Sequence, residues 1–181
     1  MSLLGSIALF FGVLGVLLTI LQNIWCWPVA LISVIASSIE FYDQRLFGDM
    51  ALQGFYFVSG IYGWWYWRKN KNVEFKATHM PLASWFWMLM ATLVQTVIYY
   101  VLLKKFKGDK IILDSVLTAA SITCTYMMTK KWIENWIVWV IIDATYIFLY
   151  GIKDMWMFAI LFFVFTIMAG YGYYSWRKKT S

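Results

Sequence analysis

The sequence has little charge and few of the side chains that carry out catalysis. Of its 181 residues only 13% are charged and 62% are hydrophobic, compared with about 25% and about 45–50% in soluble domains. This balance excludes a soluble globular domain, a disordered chain and a soluble nucleic-acid binder. One histidine and two cysteines, both cysteines inside apolar stretches, leave neither a metal cluster nor a catalytic triad. We therefore predict no metal, no cofactor and no nucleic-acid partner.

Long apolar runs take the place of the missing charges. No Lys or Arg precedes Arg45, so the first run lacks the basic flank of a signal peptide and is predicted to be a retained helix. A transmembrane helix needs about 20 mostly apolar residues. On that rule the sequence predicts an all-α integral membrane protein with seven transmembrane helices, at 3–22, 24–42, 50–68, 82–103, 111–129, 132–151 and 154–176.

Basic residues are unequally divided between the two sides of this predicted membrane protein. Seven spans place the termini on opposite sides, and the C-terminal side carries nine Lys and Arg against six on the other. Cytoplasmic loops carry the excess of Lys and Arg. We therefore predict that the N-terminus lies outside and the C-terminus in the cytoplasm.

Two helix ends share an aromatic-then-basic pattern that indicates an internal repeat. Segments 62–69 and 171–178 close the third and seventh helices with nearly the same residues. Two weaker echoes pair 23–27 with 135–139, which matches Trp27 to Trp139, and 48–50 with 153–155. The separations of the three pairs differ by a few positions, so we expect loops of unequal length. The alternative is that such ends are independent interface anchors.

A repeat would match helices 1–3 with helices 5–7 and leave helix 4 as a linker. The predicted architecture is two parallel three-helix bundles joined by one helix (3+1+3), with domains at 1–68, 69–110 and 111–181. Parallel repeats of this kind occur in transporters, and the substrate site lies between the halves.

The sixth helix carries aromatic rings and an acid on one face. Trp136, Trp139 and Asp143 are spaced i, i+3 and i+7, and Tyr146 continues the stripe. Ionisable residues inside a span are costly and commonly functional, and indole rings beside a carboxylate suit a flat organic cation. The alternative is a packed aromatic face with Asp143 bonded to a Ser or Tyr.

Two further helices carry polar stripes. Asp114, Thr118, Ser121 and Thr125 share one face of the fifth helix, although small hydroxyl residues also serve interhelical packing. On the third helix, Gln53 lies on the same face as Tyr56. A sugar-like ligand needs such amides and hydroxyls around its edge.

The segment from Thr129 to Asp143 resembles the PnuC family of bacterial vitamin transporters, as do 61–64, with Gln53 upstream, and Leu113–Ser115. The resemblance covers nearly the whole chain. It implies a SWEET-like fold, homotrimers in the bacterial inner membrane, and facilitated uptake of a vitamin precursor that a cytoplasmic kinase traps. The best-known substrate is nicotinamide riboside, and relatives take thiamin.

The resemblance also implies which residues bind the vitamin. Trp136, Trp139 and Asp143 match the motif's binding positions, and Gln53 and Asp114 match polar positions. Asp143 departs from the Asn of many nicotinamide riboside carriers, but an acid suits either cationic vitamin. The complete set of predicted substrate contacts is Gln53, Tyr56, Asp114, Ser121, Asn135, Trp136, Trp139, Asp143 and Tyr146.

We therefore expect a uniporter for a cationic vitamin, nicotinamide riboside first and thiamin second, that works by alternating access and is not an enzyme. Two rival hypotheses remain open. An integral-membrane enzyme would use Asp143 and Asp114 as an acid–base pair. A structural membrane subunit would have no need of an acid between tryptophans.

Overall fold

The computed structural model describes residues 2–43, 47–71, 76–104, 111–152 and 156–180, and these ranges form seven α-helices. Every helix bound lies within three residues of its predicted position. The helices are α1 (Leu3–Ile20), α2 (Cys26–Asp43), α3 (Phe47–Lys69), α4 (Leu82–Lys104), α5 (Ile111–Thr129), α6 (Asn135–Ile152) and α7 (Trp156–Lys178).

Five of these helices are long and apolar enough to cross a membrane: α1, α4, α5, α6 and all but the first turn of α7. The other two, α2 and α3, carry more polar residues, including Ser33, Ser37 and Glu40 on α2 and Gln53 on α3. The prediction of seven helices is confirmed, and hydropathy of the described residues supports five of them as spans. The chain is a multi-pass membrane protein.

The chain divides into two compact units, Met1–Lys76 and Ala77–Ser181. In the first unit α1 packs on α2 and α2 packs on α3. Small residues bring α1 and α2 together, because a Cβ added at Gly15 would lie 3.5 Å from the Cβ of Ala30. The Ser33 hydroxyl on α2 also donates a 2.7 Å hydrogen bond to the Ala8 carbonyl on α1.

The second unit contains α4 to α7, each packed on the next. The Thr92 hydroxyl of α4 donates to the Thr123 hydroxyl of α5 at 2.9 Å, while no side chain of α4 is buried. The Cys124 thiol of α5 donates to the Asn135 carbonyl at the start of α6, 3.0 Å away. The α5–α6 pair therefore meets through buried polar contacts as well as apolar packing.

The two units repeat the same helix bounds in one constant register. Helices α2 and α6 begin at Cys26 and Asn135, α3 and α7 begin at Phe47 and Trp156, and both pairs of starts are equally far apart. The last residues of these helices keep the same separation. The predicted pairing of 23–27 with 135–139 is therefore out of register, because Trp27 corresponds to Trp136 and not to Trp139. The echo of 48–50 in 153–155 lies partly outside the described residues.

The turns before α2 and α6 also have equivalent backbone hydrogen bonds. Gln22 and Lys131, which are equivalent in this register, both take the left-handed backbone conformation, with φ of 56° and 55°. Asn23 N–H donates to Leu18 O at 2.9 Å, and Trp132 N–H donates to the equivalent carbonyl at 3.1 Å. This turn explains why α6 begins at Asn135 and not at 132 as predicted, because the chain must first reverse.

Candidate functional site

The turn before α6 fixes the first residues of the predicted binding face. Asn135 is fully buried, and its amide nitrogen donates to the Trp132 carbonyl at 2.6 Å. Its other amide atom, Oδ1, is buried and has no hydrogen-bond partner among the described residues. An unpaired acceptor inside a membrane protein is costly.

Trp136 is a packing residue in this structure. It is 2% exposed, and its ring meets Trp176 edge-on, with centroids 5.3 Å apart. A Cβ added at Gly172 would lie 2.7 Å from its indole, so only glycine leaves room for the ring. Its buried indole N–H has no partner among the described residues.

Trp27 has the same surroundings in the first unit. Its ring meets Trp67 edge-on at 5.6 Å, and its indole lies even closer to the position of a Cβ on Gly63. Its indole N–H likewise lacks a partner in the described parts of the chain. The unpartnered N–H of Trp136 is therefore a property of the repeated fold and carries no argument for a ligand.

Asp143 lies in the middle of α6, 5% exposed. No described residue forms a hydrogen bond or an ion pair with its carboxylate. The bond to a Ser or Tyr that the sequence left open as an alternative is not formed among the described residues. A buried carboxylate without a partner costs several kcal/mol if it is charged, and the described surroundings supply no compensating cation.

Trp139 lies one turn before Asp143 on the same helix. Its half-buried ring packs on a small core formed by Leu117, Cys124 and Ile142. Its indole N–H is buried and lacks a partner among the described residues. Unlike Trp136, this ring is not enclosed between a glycine and a second tryptophan, and part of its surface remains open.

An aromatic stack continues the face beyond Asp143. The Tyr146 ring lies 4.6 Å from the Phe162 ring of α7 with an interplanar angle of 25°. Tyr150 stacks with both, at 5.9 Å from Tyr146 and 5.5 Å from Phe162. The structure thus brings Asn135, Trp139, Asp143 and Tyr146 onto one helix of the second unit.

The residues of the polar stripe on α5 differ in their burial and their hydrogen bonds. The Thr125 hydroxyl bonds the Ser121 carbonyl of its own helix at 2.8 Å, a local bond that supports packing and not ligand contact. The Ser121 hydroxyl is buried and has no hydrogen-bond partner among the described residues. Asp114 is exposed in the first turn of α5, about 10 Å along the helix from Ser121.

Gln53 and Tyr56 lie one turn apart on α3, both half-buried, in the first unit. The structure places them on one face of that helix, as predicted. No group of three or more His, Cys, Asp or Glu that could hold a metal ion occurs in the described ranges.

The two units differ at the positions of the predicted contacts. In the register that pairs Cys26 with Asn135, Asp143 corresponds to Val34 and Trp139 to Ala30. The remaining pairs are Asp114 with Gly5, Ser121 with Gly12, Tyr146 with Ser37, Gln53 with Phe162 and Tyr56 with Phe165. Trp136 is the exception, because the first unit has the same residue. Of the predicted contacts, only Trp136 is therefore repeated in the first unit.

The sequence analysis missed the two glycines that leave room for the buried indole rings, Gly63 for Trp27 and Gly172 for Trp136. We call each of these glycine–tryptophan contacts a cradle. The available signal was a tryptophan and a glycine at the same separation in both halves, as Trp27 with Gly63 and Trp136 with Gly172. It was hidden because the sequence pairing aligned the wrong tryptophans.

Comparison with known proteins gives one consistent family. A family model described as nicotinamide mononucleotide transporter matches residues 2–178. Among similar proteins, the nicotinamide riboside transporter PnuC of Escherichia coli (strain K12) is 26% identical over 200 residues, which cover 95% of this chain and 82% of that protein. The protein of the same name from Neisseria mucosa is 25% identical over 191 residues, with 98% and 73% covered.

A solved structure supports the fold. The crystal structure of the vitamin B3 transporter PnuC is similar with a TM-score of 0.79 and 24% identity, and the match covers 97% of this chain and 80% of that one. At this identity the likeness shows that the two chains share a fold.

Proposed function

Because the chain belongs to the nicotinamide mononucleotide transporter family, we propose that it carries nicotinamide riboside across the membrane. Relatives that match most of the chain are named for that substrate. The thiamin alternative has no such support. Transport, and not catalysis, is the function that this family membership favours.

One observation carries the choice of a cationic substrate: the Asp143 carboxylate is 5% exposed and has no described partner. Nicotinamide riboside has a permanently charged pyridinium ring. When bound beside Asp143, that ring would compensate the carboxylate and lower the cost of its burial. A neutral substrate would leave the acid uncompensated.

We assign roles to the neighbouring side chains by their open ring surface and their unpaired hydrogen-bonding atoms. Trp139 provides a partly open ring on which the pyridinium stacks. The free Oδ1 of Asn135 accepts a hydrogen bond, and the Ser121 hydroxyl is available to the carboxamide or ribose. The Tyr146 ring extends the aromatic wall. Trp136 fixes α6 against α7 and so positions Trp139 and Asp143.

Gln53, Tyr56 and Asp114 stay predictions from the sequence. The amide of Gln53 and the phenol of Tyr56 have the chemistry that a ribose requires. Asp114 has an exposed carboxylate at the N-terminus of α5, where it also stabilises the helix dipole. Asp114 is exposed whereas Asp143 is buried, and this difference does not favour the acid–base pair of an enzyme.

We also propose the finer architecture. Helices α1–α3 and α5–α7 form the two bundles, α4 is the linker, and the domain limits are 1–68, 69–110 and 111–181. The matching helix bounds and turns of the two units support this 3+1+3 arrangement. We propose a homotrimer in the bacterial inner membrane, with the N-terminus outside. Uptake is facilitated and proceeds by alternating access, and a cytoplasmic kinase traps the vitamin after it has entered.

Uptake into vesicles tests the proposal. Full-length protein is reconstituted, and entry of labelled nicotinamide riboside is compared with entry of labelled thiamin. We expect the riboside to enter, to equilibrate without an energy source, and to accumulate only when a riboside kinase and ATP are enclosed. Saturable thiamin uptake without riboside uptake would contradict the proposed substrate.

A further inference from the structure

A basic cavity opens where α7 ends. It has a volume of about 490 Å³ and is lined by His79, Tyr174, Arg177, Lys178 and Thr180. Two of these side chains are permanently cationic and two carry hydroxyls, whereas none is acidic. All five lie in the second unit.

The last turns of α7 supply most of the lining. Tyr174, Arg177 and Lys178 are spaced i, i+3 and i+4 and therefore share a helix face. The Lys178 ammonium lies 5.7 Å from the Tyr174 ring centroid, which fixes the charge over an exposed aromatic ring. In the parts of the chain that the structure describes, no carboxylate pairs with the Arg177 guanidinium.

The segment before α4, residues 77–80, brings His79 to the cavity. Thr78 N–H donates to Lys131 O at 3.1 Å, and Ile133 N–H donates to Thr78 O at 3.0 Å. His79 Nδ1 lies 2.8 Å from a Glu134 carboxylate oxygen. That contact requires the proton on Nδ1, so Nε2 donates a hydrogen bond to an anion only when the ring carries both protons.

Glu134 contacts the lining residue His79, and its carboxylate is already engaged. One oxygen contacts His79, and the other accepts the Met80 N–H at 2.8 Å. Its side chain is 13% exposed. Both carboxylate oxygens are therefore engaged by His79 and Met80.

We propose that this cavity binds the phosphate of an anionic phospholipid. Aromatic and basic residues at the end of a transmembrane helix lie at headgroup depth, and basic pockets there bind phosphate headgroups. Arg177 and Lys178 supply charged hydrogen bonds to the phosphate, and Thr180 and Tyr174 supply hydroxyls. The proposal does not depend on the transported solute.

The first unit provides a matched control. Arg68 and Lys69 stand at the positions equivalent to Arg177 and Lys178, and the Lys69 ammonium lies 5.1 Å from the Trp65 ring centroid. The positions of Tyr174 and Thr180 are there occupied by Trp65 and Lys71, which have no hydroxyl. The same two charges can thus be removed from either helix end.

Native mass spectrometry of the full-length protein measures the binding. Detergent-purified protein is titrated with phosphatidylglycerol and, separately, with phosphatidylcholine. Each Lys or Arg near an anionic headgroup contributes a factor of about five in affinity. We expect Arg177→Gln with Lys178→Gln to weaken phosphatidylglycerol binding about 30-fold, and Arg68→Gln with Lys69→Gln to leave the strongest bound lipid unchanged.

Four results would overturn the proposal. The first is an equal loss from both double variants, which would indicate general surface attraction. The second is wild-type binding of phosphatidylcholine as tight as that of phosphatidylglycerol. The third is displacement of the lipid by inorganic phosphate at matching concentration, which would assign the cavity to a soluble phosphate. His79→Ala should also weaken the binding of phosphatidylglycerol. The fourth result is an unchanged affinity for phosphatidylglycerol in both His79→Ala and the Arg177→Gln, Lys178→Gln double variant.

Discussion

Replacing Asp143 by asparagine removes a buried charge and keeps the shape and most of the hydrogen-bonding capacity of the side chain. The carboxylate is 5% exposed on α6 and unpartnered among the described residues. If it exists to compensate a pyridinium, the variant should bind a charged ring less well and a neutral ring of the same shape about equally. Nicotinamide riboside and its reduced, uncharged dihydro form are such a pair.

The helix geometry sets the size of the effect. Trp139 and Asp143 are four residues apart, which is about 6 Å along the helix axis. Opposite unit charges at that separation attract by about 3 kcal/mol at an effective dielectric constant of about 20, and by about half as much at about 40. Wild-type protein should therefore prefer the oxidised over the reduced riboside by about tenfold to about a hundredfold.

The assay is a competition for labelled nicotinamide riboside in vesicles that contain the full-length protein. Each unlabelled riboside is titrated against wild type and Asp143→Asn. Transport of the oxidised riboside should persist in Asp143→Asn, because asparagine keeps the shape and most of the hydrogen-bonding capacity of the side chain, but the preference should fall to nearly one. Asp143→Leu should abolish uptake, since leucine neither compensates charge nor forms hydrogen bonds.

Val34→Asn is the matched control, because Val34 occupies the equivalent position of α2. It adds the same amide to the other unit and should leave the preference as in wild type. An unchanged preference in Asp143→Asn would refute the electrostatic role of the acid. Near-wild-type uptake by Asp143→Leu would remove Asp143 from the site altogether.

Three further predictions concern the ring, the cradles and the topology. Trp139→Ala should weaken riboside binding by about 1–3 kcal/mol through lost stacking, and Trp139→Leu nearly as much in the same titration; full affinity with leucine would mean that the ring only packs. Gly172→Ala and Gly63→Ala should each lower the free energy of unfolding by about 1–3 kcal/mol through overpacking, seen as lower melting temperatures in detergent. Unequal shifts, with one near zero, would contradict the equivalence of the two cradles. A cysteine at Ser181 should react with an impermeant thiol reagent only from the cytoplasm and one at Ser2 only from outside; reversed labelling would refute the orientation.

The helices could be predicted from the sequence because each apolar run is interrupted by charges or turn residues. The boundary of α6 was the least well predicted among the later helices, at 132 instead of Asn135. The left-handed backbone of Lys131 causes the delay, and a lysine gives no sign of it. Gln22 adopts the same left-handed conformation before α2. The conformation is therefore indicated by the equivalence of the two positions in the repeat and not by the residue type.

The role of Trp136 could not be predicted from the stripe on α6. A ring that packs and a ring that binds a ligand share one helical face, and periodicity does not distinguish them. What distinguishes them is a partner on another helix, the glycine at 172. A correct alignment of the repeats would have found it, because Trp27 and Gly63 keep the same separation.

A two-fold repeated scaffold poses a problem for a ligand that has no symmetry. Identical halves would offer nicotinamide riboside the same groups twice, although only one of its two ends carries a charge. The repeated residues, Trp27 with Trp136 and Gly63 with Gly172, are those that hold helices together. At the position of Asp143 the first unit has Val34, a residue that neither carries charge nor forms hydrogen bonds. The two units therefore share the tryptophan–glycine contacts and differ at Asp143, so a charged group can stand in one unit without loss of those contacts.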